Sequence, residues 1–567
     1  MTLVASGPPL SRVWLLLIIS LFTFFFLLGH RALNEPDEGR YSVIASEMIE
    51  TSNWLVPQLW YVPHLDKPPL TYWAVAASMK LFGRNEWAVR LPVALAGLSG
   101  VAAAFFLGRS LAGQRAGFWS AVILQTSLLY AIASRMLTPD IFVTQFIAWS
   151  IYFLWRAWRS FDEPTHPALK RSIAWQCAAW IGISLGFLTK GPIALAVPAA
   201  AFGALAWFGR EEKQRLRSLL VGSAVGVLIF CAIVLPWFIQ IFRAVPSAFD
   251  FMVNRQMLGH ALGTTEHNRH GPILYYVGIL GIGFVPWTVL LFWLWRRSFW
   301  SKLQEKEGWV LLNSWIVFTF VVFTFSSSKL PEYVLPLFPA LAVLVSLRWF
   351  SARPDDASPV LMWRALAALP LAVALAFPLV MHFALQAPFE RWMIVQICVA
   401  AVVLPCIALL ARRTASTCAA IAVCLTLLNF AWTEAVIPKI ETALKSNQTL
   451  KPLALALKQV YRPGDKVVCW RRFPQGLLFY AYPVLCATNR PLLGGMPLDK
   501  VPFEFPGNAA RFGDLLIPDE AALEKLLAQT NKVWVIGYSG THEHLQQLHG
   551  KPLPLVKRVG QFELFSN

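Results

Sequence analysis

Long apolar stretches, separated by short polar connections, recur along most of the chain. Thirteen can be drawn, at about 13–29, 87–108, 116–133, 139–155, 172–189, 192–208, 218–242, 272–295, 308–326, 331–347, 362–383, 392–411 and 416–437. A transmembrane helix needs about 17–25 such residues, so the first run, Val13 to Gly29, is just long enough to span. Charge and bulk follow it rather than a small-residue cleavage site, and it is expected to stay as a signal anchor. Lys190-Gly191-Pro192 divides what would otherwise be one overlong run. Residues 31–86 are neither apolar enough to cross nor polar enough to be disordered. Within them, Tyr41–Ile49 and Leu70–Phe82 read as short amphipathic helices lying in the interface.

After about residue 438 the pattern changes. Val467–Trp470, Val533–Gly537 and Phe562–Phe565 read as strands, and Leu450–Val460 and Asp519–Ala528 have helical periodicity. The expected architecture is a polytopic α-helical membrane protein of about 13 transmembrane helices over 1–438. A small soluble α/β domain follows over 439–567, large enough for its own core.

Composition agrees. Of 567 residues, 57% are hydrophobic and 14% charged, with a mean hydropathy of +0.54; soluble chains carry about a quarter charged. The net charge of +18 first suggests a nucleic-acid partner, but the cations fall where topology puts them. With the N-terminus cytoplasmic, alternate short connections hold Arg109 and Arg115, then Arg156, Arg159, Lys170 and Arg171, then Arg210, Lys213, Arg215 and Arg217. The series continues with Arg296, Arg297, Lys302 and Lys306, then Arg348, Arg353 and Arg364, then Arg412 and Arg413. Short opposite loops carry isolated cations, which is the positive-inside pattern. Nucleic acid need not be invoked, and an odd number of spans puts the C-terminal domain outside. Most of the eight cysteines lie in apolar runs as small buried hydrophobes. Cys469 and Cys486 lie in the external domain, where a disulfide and two buried free thiols are both open.

With this orientation the polar clusters converge on one external face. They are Asp37/Glu38, Asp66/Lys67, Arg135/Asp140, Lys190, His260 to His270, and Lys329 to Tyr333. Charged groups at the membrane must be wet, paired or used. Asp37, Glu38, Asp66 and Asp140 form the acidic set. Carboxylates can take a proton from an acceptor hydroxyl, stabilise an oxocarbenium-like centre or hold a metal. Arg40, Lys67, Arg135, Lys190, Arg255, Lys329 and Tyr333 are the groups suited to a phosphate, Arg as a bidentate fork and Lys as a point charge. Each has a plainer reading. Asp140 follows Pro139 and suits a helix N-terminus, Lys190 can be a snorkelling lysine at an interfacial turn, and His260, His267 and His270 can be solvated rather than metal ligands.

The stretches Pro36-Asp37-Glu38-Gly39-Arg40-Tyr41, Asp66-Lys67-Pro68-Pro69, Pro139-Asp140, Thr189-Lys190-Gly191, Leu235-Pro236-Trp237, Gly271 to Tyr276, Val285-Pro286-Trp287 and Ser328 to Tyr333 resemble the lipid-carrier-dependent glycosyltransferases of the GT-C class. Within that class they look most like the aminoarabinose transferases and their protein O-mannosyltransferase relatives. The resemblance covers about the first 340 residues.

It implies an inverting transferase of the bacterial inner membrane with a periplasmic active site. The donor would be an undecaprenyl-phosphate sugar, most simply 4-amino-4-deoxy-L-arabinose, and the acceptor lipid A phosphate or a related envelope glycolipid. By the same resemblance Asp37 is the leading catalytic carboxylate and Asp140 the second, with Glu38 beside them. Arg40, Tyr41, Lys67, Arg135, Lys190, Lys329 and Tyr333 would bind substrate. Aminoarabinose transferases often carry Thr where Gly39 stands and Glu where Asp66 stands, and that acidic position belongs to the metal site proposed in relatives. Asp66 reaches about one methylene less far than Glu would, which leaves the metal, zinc or magnesium, open, with Asp66 its candidate ligand.

Two other readings remain. The same fold could act on a protein or another glycan, or the chain could move a lipid-linked sugar. A transporter places ionisable groups near mid-span at broken helices and often shows repeats; here they lie at one face, and no repeat is apparent.

Overall fold

The computed structural model describes residues 10–162, 167–259, 271–291, 294, 306–350, 360–383, 391, 393–398, 415–443, 449–498, 500, 502–529, 531–550 and 552–567. Helix α1 (Leu10–Phe25) is followed by α2 (Asp37–Thr51), a two-stranded turn of β1 (Gln58–Leu59) and β2 (Val62–Pro63), and α3 (Leu70–Phe82). Next come α4 (Glu86–Thr126), α5 (Leu128–Ala133), α6 (Asp140–Trp158), α7 (Ala168–Lys190), α8 (Ile193–Phe208) and α9 (Lys213–Ala244). Further helices cover Tyr275–Gly283, Lys306–Phe325, Phe338–Trp349, Val360–Phe383 and Ala415–Ala443. Six helical segments among the described residues are long and apolar enough to cross a membrane, and shorter apolar helices stand beside them. The fold is that of a multi-pass membrane protein.

Local chemistry sets the boundaries. Asn85 caps α4 by accepting the Ala88 N–H at 2.8 Å. At 1.5 Å per residue, the 41 residues of α4 would extend about 60 Å, twice a bilayer core. The helix instead breaks at Ala112 and Gly113, where Gly113 takes φ +81°. Its halves fold back so closely that a Cβ on Gly117 would stand 2.6 Å from the Phe105 carbonyl oxygen. Small residues at the contact permit this approach, and the runs 87–108 and 116–133 come out as separate arms.

The expectation of interfacial helices is corrected for α2. Tyr41 to Met48 are all buried, and the helix packs against the C-terminal domain rather than lying on lipid. It tolerates this because its polar groups are satisfied internally. Ser42 donates to the Gly39 carbonyl at 2.9 Å and Ser46 to the Ser42 carbonyl at 2.7 Å. The buried Glu47 carboxylate accepts the N–H groups of Trp60 (2.8 Å) and Tyr61 (2.9 Å). These two residues form the turn between β1 and β2 with φ of +58° and +62°, a left-handed conformation that non-glycine residues adopt only when their surroundings enforce it. Glu47→Ala strands both N–H groups; at about 1–3 kcal/mol for each buried unpaired group, a fall in thermal stability is expected, measured by melting of the purified protein.

The C-terminal domain is a six-stranded sheet in the order β5-β4-β3-β6-β8-β7, made of β3 (Lys466–Trp470), β4 (Leu492–Gly494), β5 (Leu516–Ile517), β6 (Val533–Tyr538), β7 (Leu555–Val559) and β8 (Phe562–Ser566). The first four run parallel and β8 joins β6 antiparallel. Helix Glu520–Leu527 is capped by Asp519, which accepts the Ala522 N–H at 2.8 Å. The disulfide expectation is corrected: Cys469 and Cys486 are both free. Cys469 lies in the central strand β3 with no exposed surface, and burial pushes its thiol well above the usual range. Cys486 sits in a turn beside Thr488 at 3.2 Å.

This domain roofs residues 31–86. Tyr480 Oη accepts the Leu33 N–H at 2.7 Å, Lys451 pairs with Glu86 at 2.6 Å, and Arg490 donates to the Trp60 carbonyl at 2.8 Å. Asn508 donates to the Pro63 carbonyl at 2.9 Å. Trp60 packs on Phe473 with ring centroids 4.7 Å apart.

Candidate active site

Asp37 opens α2 directly after Pro36, where the helix dipole favours a carboxylate. One turn on, Arg40 reaches back and pairs with it at 2.5 Å; Asp37 keeps 41% of its side chain exposed and Arg40 18%. Arg40 also lies 5.7 Å over the Tyr41 ring, and Tyr41 stacks on Tyr72 at 5.3 Å. Asp66 pairs with Lys67 at 3.0 Å. Burial would raise the Asp66 carboxyl, but Lys67 and Arg40 hold it well below the usual carboxylate range. His64 is lowered to about 4 by burial and by Arg40 and Lys67, so it is neutral near pH 7.

A second group faces this one. Asp140 is the first residue of α6 and Lys190 the last of α7, and the two form an ion pair. The Lys190 ammonium lies 4.2 Å from the centroid of Tyr333. Glu332 interacts electrostatically with Asp140, Lys190 and Asp37 alike, which ties the two groups into one site. Lys329 stands at its margin, donating to the carbonyls of Thr324 (2.5 Å) and Ser326 (3.1 Å) and lying 5.7 Å from the Tyr276 ring centroid. The arrangement presents carboxylates and cations in alternation, suited to a ligand with an anionic group and a centre that becomes positive.

Three sequence candidates are placed elsewhere. Glu38 is 1% exposed and points away from Asp37. It pairs with Arg31 at 3.1 Å and with the fully buried Arg90 at 2.8 Å, and accepts the Asn34 (3.0 Å) and Leu137 (3.2 Å) N–H groups. Burial would raise its carboxyl; Arg31 and Arg90 overturn that and hold it at about 2. The expectation of a catalytic Glu38 is corrected to a structural carboxylate, enclosed on all sides. Arg135 turns to the end of α1, donating to the Thr23 (3.2 Å) and Phe26 (2.6 Å) carbonyls. Arg255 is exposed beside Asp250 at 3.4 Å.

His260, His267 and His270 lie outside the described residues. Among those described, no group of three His, Cys, Asp or Glu side chains is placed to hold a metal. Asp66 is a single carboxylate crowded by Lys67 and Arg40, which does not fit a divalent ion.

Sequence reading missed Arg31, Arg90, Glu35, Glu47 and Tyr72, and left Glu332 out of the acidic set. Arg90 had a usable signal: a lone cation inside an apolar run needs a partner.

The helical fold is one that solved membrane proteins share, and the sequence has curated relatives. Residues 66–237 match the family of dolichyl-phosphate-mannose-protein mannosyltransferases. In sequence the chain is 31% identical over 346 residues to undecaprenyl phosphate-alpha-4-amino-4-deoxy-L-arabinose arabinosyl transferase 1 of Pseudomonas fluorescens, covering 59% of this chain and 60% of that protein. It is 30% identical over 339 residues to the transferase of the same name from Edwardsiella ictaluri, covering 59% and 58%. The chain thus matches about 60% of the length of these curated relatives. In three dimensions it superposes on the crystal structure of ArnT from Cupriavidus metallidurans bound to undecaprenyl phosphate. The TM-score is 0.81 at 22% identity, over 99% of this chain and 98% of that one. The apo form gives 0.79 over 98% of each. The fold is therefore shared from end to end, C-terminal sheet included.

Proposed function

We propose that this chain is an inner-membrane glycosyltransferase that moves 4-amino-4-deoxy-L-arabinose from undecaprenyl phosphate to a lipid A phosphate or a related envelope glycolipid. The curated relatives carry that donor sugar and carrier in their names. The observation that carries the reading is the pairing of Asp37 with Arg40 and of Asp140 with Lys190 around Glu332.

In the reaction the bond from the sugar anomeric carbon to the carrier phosphate oxygen breaks as the acceptor oxygen attacks from the opposite face. The configuration inverts and undecaprenyl phosphate leaves. Arg40 and Lys67 hold the donor phosphate as charge builds on it, with Lys190, Lys329 and Tyr333 lining the opposite side. Asp37 stabilises the positive charge at the anomeric carbon, and Asp140 fixes Lys190. A phosphate acceptor is already anionic and needs no strong base, whereas a hydroxyl acceptor would make Asp37 the proton acceptor. The positive-inside pattern supports thirteen crossings, with the site and the C-terminal domain on the periplasmic side.

The test is sugar transfer in membranes containing the chain, the aminoarabinosyl donor lipid and lipid A, read as the mass increase of lipid A. Labelling of a protein or another glycan in place of lipid A would move the acceptor toward that of the mannosyltransferase family and remove the lipid A assignment.

A further inference from the structure

Glu35 belongs to the turn that carries Asp37 but takes no part in the site described above. It is 8% exposed. Its Oε1 accepts the backbone N–H of Gly476, in the C-terminal domain, at 2.7 Å. Its Oε2 is buried with no hydrogen-bond partner among the described residues. Gly39 and Gly476 meet here backbone to backbone. A Cβ on Gly39 would stand 2.9 Å from the Gly476 nitrogen, and one on Gly476 would stand 2.9 Å from the Gly39 Cα. Either would also collide with Glu35 Oε1. Nearby, Leu33 N–H is held by Tyr480 Oη at 2.7 Å. The charged groups facing Glu35 are Arg472 from the C-terminal domain and Arg40 from α2, together with the N–H groups of Gln475 and Gly476.

We propose that Glu35 is a positioning residue through which the C-terminal domain clamps the turn bearing Asp37. The mechanism is geometric. Asp37 lies between two points that the Gly476 turn holds, Glu35 and Gly39, and the intervening Pro36 has a ring-fixed φ. With both points pinned, the Asp37 carboxylate has little freedom to leave Arg40. The role assigned to Asp37 rests on the function proposed above; the clamp does not.

The clamp is sensitive to protonation. Burial pushes the Glu35 carboxyl up to about 7, against the pull of the Gly476 N–H, Arg472, the Gln475 N–H and Arg40. A Glu35 released to water ionises near its ordinary value of 4.5. Between about 4.5 and about 7 the released form sheds a proton that the clamped form keeps, so the clamp weakens as pH rises through that window and stays weak above it.

The experiment uses the full chain in lipid nanodiscs and compares native protein with Glu35→Gln and Gly476→Ala. Amide hydrogen exchange at residues 33–41 and 474–480 is followed from about pH 5 to about pH 8, corrected for intrinsic exchange. In the native protein the opening equilibrium should rise by up to about 10²-fold across the window. Glu35→Gln keeps an oxygen for the Gly476 N–H and cannot ionise, so its opening should stay low and flat. Gly476→Ala should be open at every pH, with kcat for sugar transfer down by about 10²-fold through a displaced Asp37 and KM for the donor unchanged. A Glu35→Gln protein that follows the native pH course would overturn the clamp, and so would native exchange in Gly476→Ala. Raised exchange in Gly476→Ala with native kcat would overturn the positioning role. If native protein transfers no sugar, the function proposed above fails while the exchange measurements still decide the clamp.

Discussion

Asp37→Asn should insert at the native level and lose sugar transfer, with kcat falling by about 10²–10³-fold, the loss typical of removing one preorganised charge from a reacting centre. The side chain keeps its shape and one oxygen toward Arg40, so donor KM should change little. What disappears is the negative charge beside the anomeric carbon. Arg40 then faces no counter-charge at 2.5 Å and binds the leaving phosphate more tightly, so product release should also slow. Single-turnover transfer with the donor lipid in membranes, set against steady-state rates, separates these effects. With a hydroxyl acceptor the loss should be larger, about 10²–10⁴-fold, and the residual rate should climb with pH. A mutant as active as native protein would remove Asp37 from the mechanism and leave Asp140 and Glu332 as the carboxylates to test.

The largest effect on folding is expected at Arg90. Its guanidinium holds Glu38 at 2.8 Å and the carbonyls of Arg31 (2.7 Å) and Ala32 (2.9 Å), with no exposed surface. Arg90→Met leaves a buried carboxylate with Arg31 as its one remaining cation, and removing one partner of a buried pair costs about 3–5 kcal/mol. Inserted yield and melting temperature should both drop sharply. Glu38→Gln should be milder and should flatten the acid limb of stability. The Glu38 carboxyl is lowered from 4.5 to about 2. Its contribution is therefore complete above about pH 4.5 and is lost as pH falls toward 2, a difference of about 3 kcal/mol. A native melting curve for Arg90→Met would mean that Arg31 alone neutralises Glu38.

The membrane frame was legible because lipid imposes a length and a composition on every crossing, and the C-terminal domain because strands and a capped helix carry short-range signatures. β4, β5 and β7 escaped, being short or mostly exposed along one face. The sequence pointed to the site as a set of polar turns expected on one side of the membrane, but side-of-membrane logic cannot tell neighbours apart. Asp37 and Glu38 are adjacent in the chain, yet successive helical positions point about 100° apart, and one faces the site while the other enters the core. Arg135 satisfied the same logic, and its guanidinium went to the carbonyls ending α1. Glu35 and Glu47 were invisible for another reason: what makes them matter is a backbone N–H, and sequence carries no record of which N–H will meet which acid.

The bond from Gly476 to Glu35 spans 441 positions of chain. At about 5–20 residues per second of synthesis, the turn bearing Asp37 waits about 20–90 s for the segment that completes it. Through that interval Glu35 has no partner from the C-terminal domain, and Trp60 has no Phe473 to pack on. A nascent chain halted before residue 476 therefore holds every sequence motif of the reaction and an unfinished turn at its centre, so activity should appear late, with the arrival of the last hundred or so residues rather than with the insertion of the final membrane helix.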